Sequence, residues 1–215
     1  MKLLPSLIAQ YHSNRTMITI VLTISAFFIG IVLLFHFLGG IPIGNLTRDP
    51  SAVMGAPFYI GILSQAGIFF WSASAAICMF SAKIISKHPD SYKLKRFLFV
   101  SGLLTMLLGL DDIFLFHESV YPYYLGIHEK VVYATYAGLV LFYLVKFYSI
   151  IIKTEYILLV MALGFFALSV IFDKTSIPGI DPYLLEDGAK MVGIVSWMFY
   201  FFSVGTMAIN KYTTQ

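Results

Sequence analysis

The chain has 215 residues, of which 59% are hydrophobic, 17% aromatic and only 12% charged. A water-facing domain needs about a quarter of its residues charged, so the composition excludes an ordinary soluble, disordered or disulfide-rich protein. The net charge of +3 is spread thinly and Cys78 is the sole cysteine, so neither a nucleic-acid partner nor a thiolate metal site is expected.

Uninterrupted apolar stretches predict six membrane-spanning helices in an all-α polytopic bundle, one membrane domain over residues 1–215. The first expected span is 17–38. It is too long in its apolar part for a cleaved signal and is read as retained, with residues 3–11 along the inner interface. A loop rich in Gly and Pro follows from Gly39 to Pro57, carrying the sequon Asn45-Leu46-Thr47. The second span is 58–85, where the small-residue run Ser72 to Ala76 suits close helix packing. The third is 97–116, the fourth 131–152, the fifth 156–172 and the sixth 188–209, with a tight turn at Lys153, Thr154 and Glu155. Strands of a membrane barrel would alternate in polarity, and these segments do not.

Basic residues predict the orientation, because cytoplasmic loops hold the excess of Lys and Arg. With the N-terminus inside, Lys2, Arg15, Lys83, Lys87, Lys93, Lys95, Arg96, Lys146, Lys153 and Lys211 fall on the inner side, against Arg48, Lys130, Lys174 and Lys190 outside. An even span count returns the C-terminus to the cytoplasm, in a plasma or inner membrane. Of the 11 acids only Asp90 and Glu155 then lie inside. His36, His117 and His128 join the outer acids, whereas His12 and His88 do not.

The densest cluster closes the third span: Asp111, Asp112, then Ile113 to Phe116, then His117 and Glu118. Asp111 sits about 8 Å inside the hydrocarbon edge at the helical rise. An Asp near mid-membrane costs about 2.5–3.5 kcal/mol, and a Leu or Phe returns only about 0.3–0.6 kcal/mol. Two such acids need partners and a wet or interior setting, which marks them as functional. On a continuous helix Asp111 and Glu118 share a direction while Asp112 and His117 flank it on opposite sides, so other helices are expected to complete any compact site.

Candidates at the same level are Asp173, Glu186, Asp187, His128 and Glu129, with Ser64 and Gln65 from the second span and Lys190 as salt-bridge partner of Asp187 or Asp111. Helix-end roles explain Glu186, Asp187 and Asp173 well when each is taken alone. Tyr121, Tyr123, Tyr124 and Trp197 fit interfacial belts or packing.

Carboxylates and imidazole suit a divalent metal ion, and the expected ligand set is Asp111, Asp112, His117, Glu118, Asp173 and Asp187. Asp111, Asp112, His117, Glu118 and Lys190 are the expected acid–base and charge-stabilising residues, acting on a lipid-like substrate that enters from the bilayer. No HExxH, nucleophile elbow or Gly-rich phosphate loop narrows the reaction. A proton- or cation-coupled carrier is the second reading. Three spans plus three fits an inverted repeat, but the inner end of the sixth span, Ser203 to Lys211, lacks acids to match the third. A non-catalytic subunit docking a basic partner is the third.

Overall fold

The computed structural model describes residues 3–85, 91–175 and 179–213. Lys2, Lys87, His88 and Asp90 lie outside the described residues. The fold is all-helical, with 86% helix and no strand among the described residues. The chain forms two compact units, Met1–Ile60 and Gly61–Gln215.

The first unit holds α1 (Leu3–Gly39) and the short helices α2 (Ile43–Thr47) and α3 (Pro50–Met54). The Gly- and Pro-rich loop is thus ordered. Asp49 caps α3, its carboxylate accepting from the amides of Ser51 and Ala52 at 2.8 and 3.2 Å, and Pro50 begins the helix where a missing N–H costs nothing. Between Gln10 and Gly39 no side chain of α1 is buried, although this stretch contains an 18-residue window with a mean hydropathy of 2.8. A helix apolar on every face and buried on none is suited to hydrocarbon.

The second unit contains α4 (Ile62–Ile85), α5 (Tyr92–Phe114), α6 (Tyr121–Leu125), α7 (Glu129–Ile151), α8 (Ile157–Phe172) and α9 (Pro182–Thr213). Segments Gln10–Gly39, Ile62–Ile85, Tyr92–Phe114, Glu129–Ile151 and Pro182–Tyr212 are long and apolar enough to cross a membrane. Helix α8 occupies the expected fifth span but has only 16 residues, about 24 Å of helix against about 30 Å of hydrocarbon.

Helix α9 packs along α8 and α4, and α4 packs along α5. Its buried face carries Ile194, Trp197, Tyr200, Phe201 and Val204. Trp197, expected in an interfacial belt or in packing, is fully buried beside Trp71, Phe166 and Phe201. Glycines permit close approaches, two of them around Trp71. A Cβ on Gly193 would fall 2.6 Å from the Phe166 ring, itself stacked on Trp71, and one on Gly109 would meet Trp71 at 3.0 Å.

Along the middle of α5, Ser101 and Thr105 are buried and return their hydroxyls to the carbonyls of Phe97 and Ser101. Across helices, Ser101 also meets the Tyr143 hydroxyl at 2.6 Å and Thr105 accepts from the Trp197 indole at 2.9 Å. Every polar group in this stretch of α5 therefore has a neutral partner.

Candidate functional site

At the end of α5 the neutral pairs give way to charges. Asp111 and Asp112 are 5% and 8% exposed, which a carboxylate tolerates only with partners. Successive positions on a helix point about 100° apart, so the two acids face different neighbours. Asp112 turns toward α4 and α9, where Lys190 forms an ion pair with its Oδ1. Gly67 of α4 leaves the room: a Cβ there would lie 3.9 Å from Asp112 Oδ2 and press on Ile194 at 3.2 Å. Beside this pair is a cavity of about 30 Å³, lined by Ser64, Gly67, Asp112, Asp187, Lys190 and Met191, with room for a single water.

Asp111 turns toward α7 and the segment that follows α5. Its Oδ1 accepts from the Tyr136 hydroxyl at 2.7 Å and from the backbone amide of His117 at 3.1 Å, and its Oδ2 pairs with His117 Nδ1. The His117 ring, in a residue only 7% exposed, lies 5.1 Å from the Tyr133 ring. Its far nitrogen, Nε2, is 3.3 Å from Glu118 Oε1, and the Glu118 side chain is half-exposed.

A continuous helix could not make this pair. Six residues separate Asp111 from His117, about 240° of rotation and about 9 Å of rise, so the two side chains would diverge. Helix α5 instead stops at Phe114, and Leu115 adopts the left-handed conformation (φ 51°, ψ 43°) with its amide bonded to the Asp111 carbonyl. A π-helical turn, Phe116–Val120, then begins, in which the Leu115 carbonyl accepts from Ser119 and Val120 at 2.8 and 3.2 Å. Pro122 follows at the start of α6, where its missing N–H would break a helix carried on from α5. What is corrected here is the continuous helical geometry expected from Asp111 to Glu118: the helix ends at Phe114 and the break folds His117 back onto Asp111, while α7 and α9 add Tyr136 and Lys190 from outside it.

Burial disfavours a charged imidazole, but the hydrogen bonds and charges of Asp111 and Glu118 outweigh it and raise His117 to about 9. The hydrogen bond to His117 holds Glu118 below its usual range against the opposing effect of burial, with the Lys190 charge helping. Neutral pH therefore finds imidazolium between two carboxylates.

The other expected residues are distributed differently. Lys190 chooses Asp112, not Asp187 or Asp111, while Asp187 lines the same small cavity. Asp173 caps the end of α8 and pairs with Lys174 at 2.7 Å, a helix-end role. His128 is the N-cap of α7, its Nδ1 accepting from the Lys130 amide at 3.3 Å, and Glu129 occupies the first turn. In the other unit, His36 Nδ1 is 2.8 Å from the Ile41 carbonyl. Among the described residues no group of three or more His, Cys, Asp or Glu side chains is arranged to hold a metal ion. The expected set of Asp111, Asp112, His117, Glu118, Asp173 and Asp187 therefore finds no support as a metal centre. The physical reason is that Lys190 and His117 already face the two buried acids, and Asp173 is engaged by Lys174.

Sequence reasoning missed Tyr136 and Tyr133. Their spacing of three on α7 puts both on one helical face, a signal that was available but is shared by many packing pairs.

Residues 16–204 match a family described as a domain of unknown function, DUF8692, and the chain belongs to that family. No curated protein and no solved structure matches it.

Proposed function

We propose that this is a multi-pass membrane protein that performs acid–base hydrolysis of a lipid-like substrate at one membrane face, with His117 as the proton carrier. One observation carries the reading: His117 is held between buried Asp111 and half-exposed Glu118, so its ring is oriented from behind and meets in front a carboxylate that reaches solvent. An imidazolium that keeps its proton at neutral pH is placed to act as an acid. In ester hydrolysis, Glu118 takes a proton from the attacking water, the water oxygen bonds to the carbonyl carbon, the ester C–O bond to the alcohol breaks, and His117 Nε2 gives its proton to the departing alcohol oxygen. Lys190, already balanced by Asp112, offers positive charge to an oxyanion that develops nearby. The excess of basic residues on one side supports both termini being cytoplasmic, in a plasma or inner membrane, with the site at the outer face.

A carrier needs polar groups beyond this end. Further along α5 the buried polar residues are Ser101 and Thr105, whose hydroxyls are committed to their own backbone, and this weighs against a proton path.

The test is hydrolysis of a fluorogenic short-chain phospholipid ester by the full chain in vesicles. Turnover by the wild type, abolished in His117→Asn and Asp111→Asn, supports the reading. Inactive wild type that takes up protons in liposomes replaces it with a carrier, and stoichiometric metal lost on Asp111→Asn and Asp112→Asn restores the cation site.

A further inference from the structure

We infer that Leu115 is the positioning residue of the His117 site: its left-handed backbone, and not the register of α5, brings the imidazole onto Asp111. This rests on His117 being the proton carrier, and it names the device that sets the carrier's geometry.

Among the described residues, Leu115 is the one non-glycine with positive φ; the others in this region of backbone space are Gly40, Gly55, Gly61, Gly126 and Gly179. An L side chain there crowds the following carbonyl, which is why glycine takes such positions. Packing does not impose the conformation, because Leu115 is 44% exposed. It is held instead by the backbone on both sides, with the Leu115 amide on the Asp111 carbonyl and the Leu115 carbonyl receiving Ser119 and Val120. Strain of this kind persists where surrounding structure over-determines it, and it gathers at working sites. Were Leu115 to relax to right-handed helix, α5 would run on. His117 would then stand about 240° around the axis and about 9 Å along it from Asp111, losing both its ring bond and its amide bond to that residue.

Substitution at 115 separates this device from the groups it positions, since Leu115 makes no side-chain bond to either. Glycine and asparagine admit the left-handed state, while a β-branched valine opposes it. The experiment is NMR of the full-length, 15N-labelled protein in detergent micelles, reading the ring nitrogen signature of the Asp111-bonded Nδ1 and the exchange protection of the His117 amide. Leu115→Gly and Leu115→Asn are expected to keep both. Leu115→Val is expected to lose the ring signature and to speed exchange of the amide by about tenfold or more, with core amides of α4 and α9 unchanged. If Leu115→Val loses the core amides as well, the glycine and asparagine variants decide: retained His117 signals support the assignment, and their loss overturns it. A valine variant with intact His117 signals overturns it equally. None of these readouts involves turnover, so absence of lipid hydrolysis leaves the positioning role standing, and a failed positioning role leaves the hydrolysis test intact.

Discussion

The middle of α5 and its end bury polarity in opposite ways. Ser101 and Thr105 are neutral, bond back to their own helix and gain one cross-helix partner each, Tyr143 and Trp197. Asp111 and Asp112 are acids and depend on groups distant in the chain or beyond a helix break, namely Lys190, Tyr136 and His117. A hydroxyl satisfied locally fixes helix packing and has nothing to exchange. A buried acid satisfied by a distant cation is a centre whose charge can be altered by protons, mutation or ligand. That contrast sets one end of the helix apart as the candidate site.

The contrast breaks first at Asp112. Lys190→Met strands a buried carboxylate, and unfolding in mixed micelles should register a loss of about 2–3 kcal/mol, reduced from the fully buried case because Lys190 is partly exposed. Asp112→Asn should cost less, since Lys190 then keeps Asp187 beside the same cavity. The double variant should recover most of the Lys190→Met loss; a double variant as poor as the sum of the two would mean the pair is not coupled.

At the neutral site, Thr105→Val removes the hydroxyl that accepts from Trp197 and should cost about 1 kcal/mol, with Thr105→Ser close to wild type. A loss as large as that of Lys190→Met would erase the distinction between the two regions. Smallest of all is Glu118→Gln, where the half-exposed side chain keeps its shape and stability should move by less than about 0.5 kcal/mol. A larger drop would make Glu118 structural and not an exchange group.

The positions of the helices were legible because apolar runs of span length leave few alternatives, and α4, α5, α7 and α9 fall where the runs lie. That Asp111 and Asp112 need an interior setting and partners was legible too, from their cost among Ile113, Phe114, Leu115 and Phe116. Their partners were not. Lys190 could reach several acids, and only the rotation of α9 against α4 and α5 selects Asp112. The fold-back at Leu115 carries no local sign, since leucine is a strong helix former; Pro122, seven residues later, is the nearest hint of a break. A reading that extends the helix through His117 separates the very residues that the break joins, and so it calls for outside ligands where the chain supplies its own cation.

The account turns on a proton held by His117 between two carboxylates. A group whose folded value is raised contributes stability that is full below its unfolded value near 6.5 and disappears as pH climbs through about 9. Following the His117 ring by NMR from pH 5 to 11 tests this most directly. The wild type should titrate near 9, and Asp111→Asn should bring the midpoint down toward 6.5. A wild-type midpoint already near 6.5, or one that Asp111→Asn leaves in place, would contradict the account.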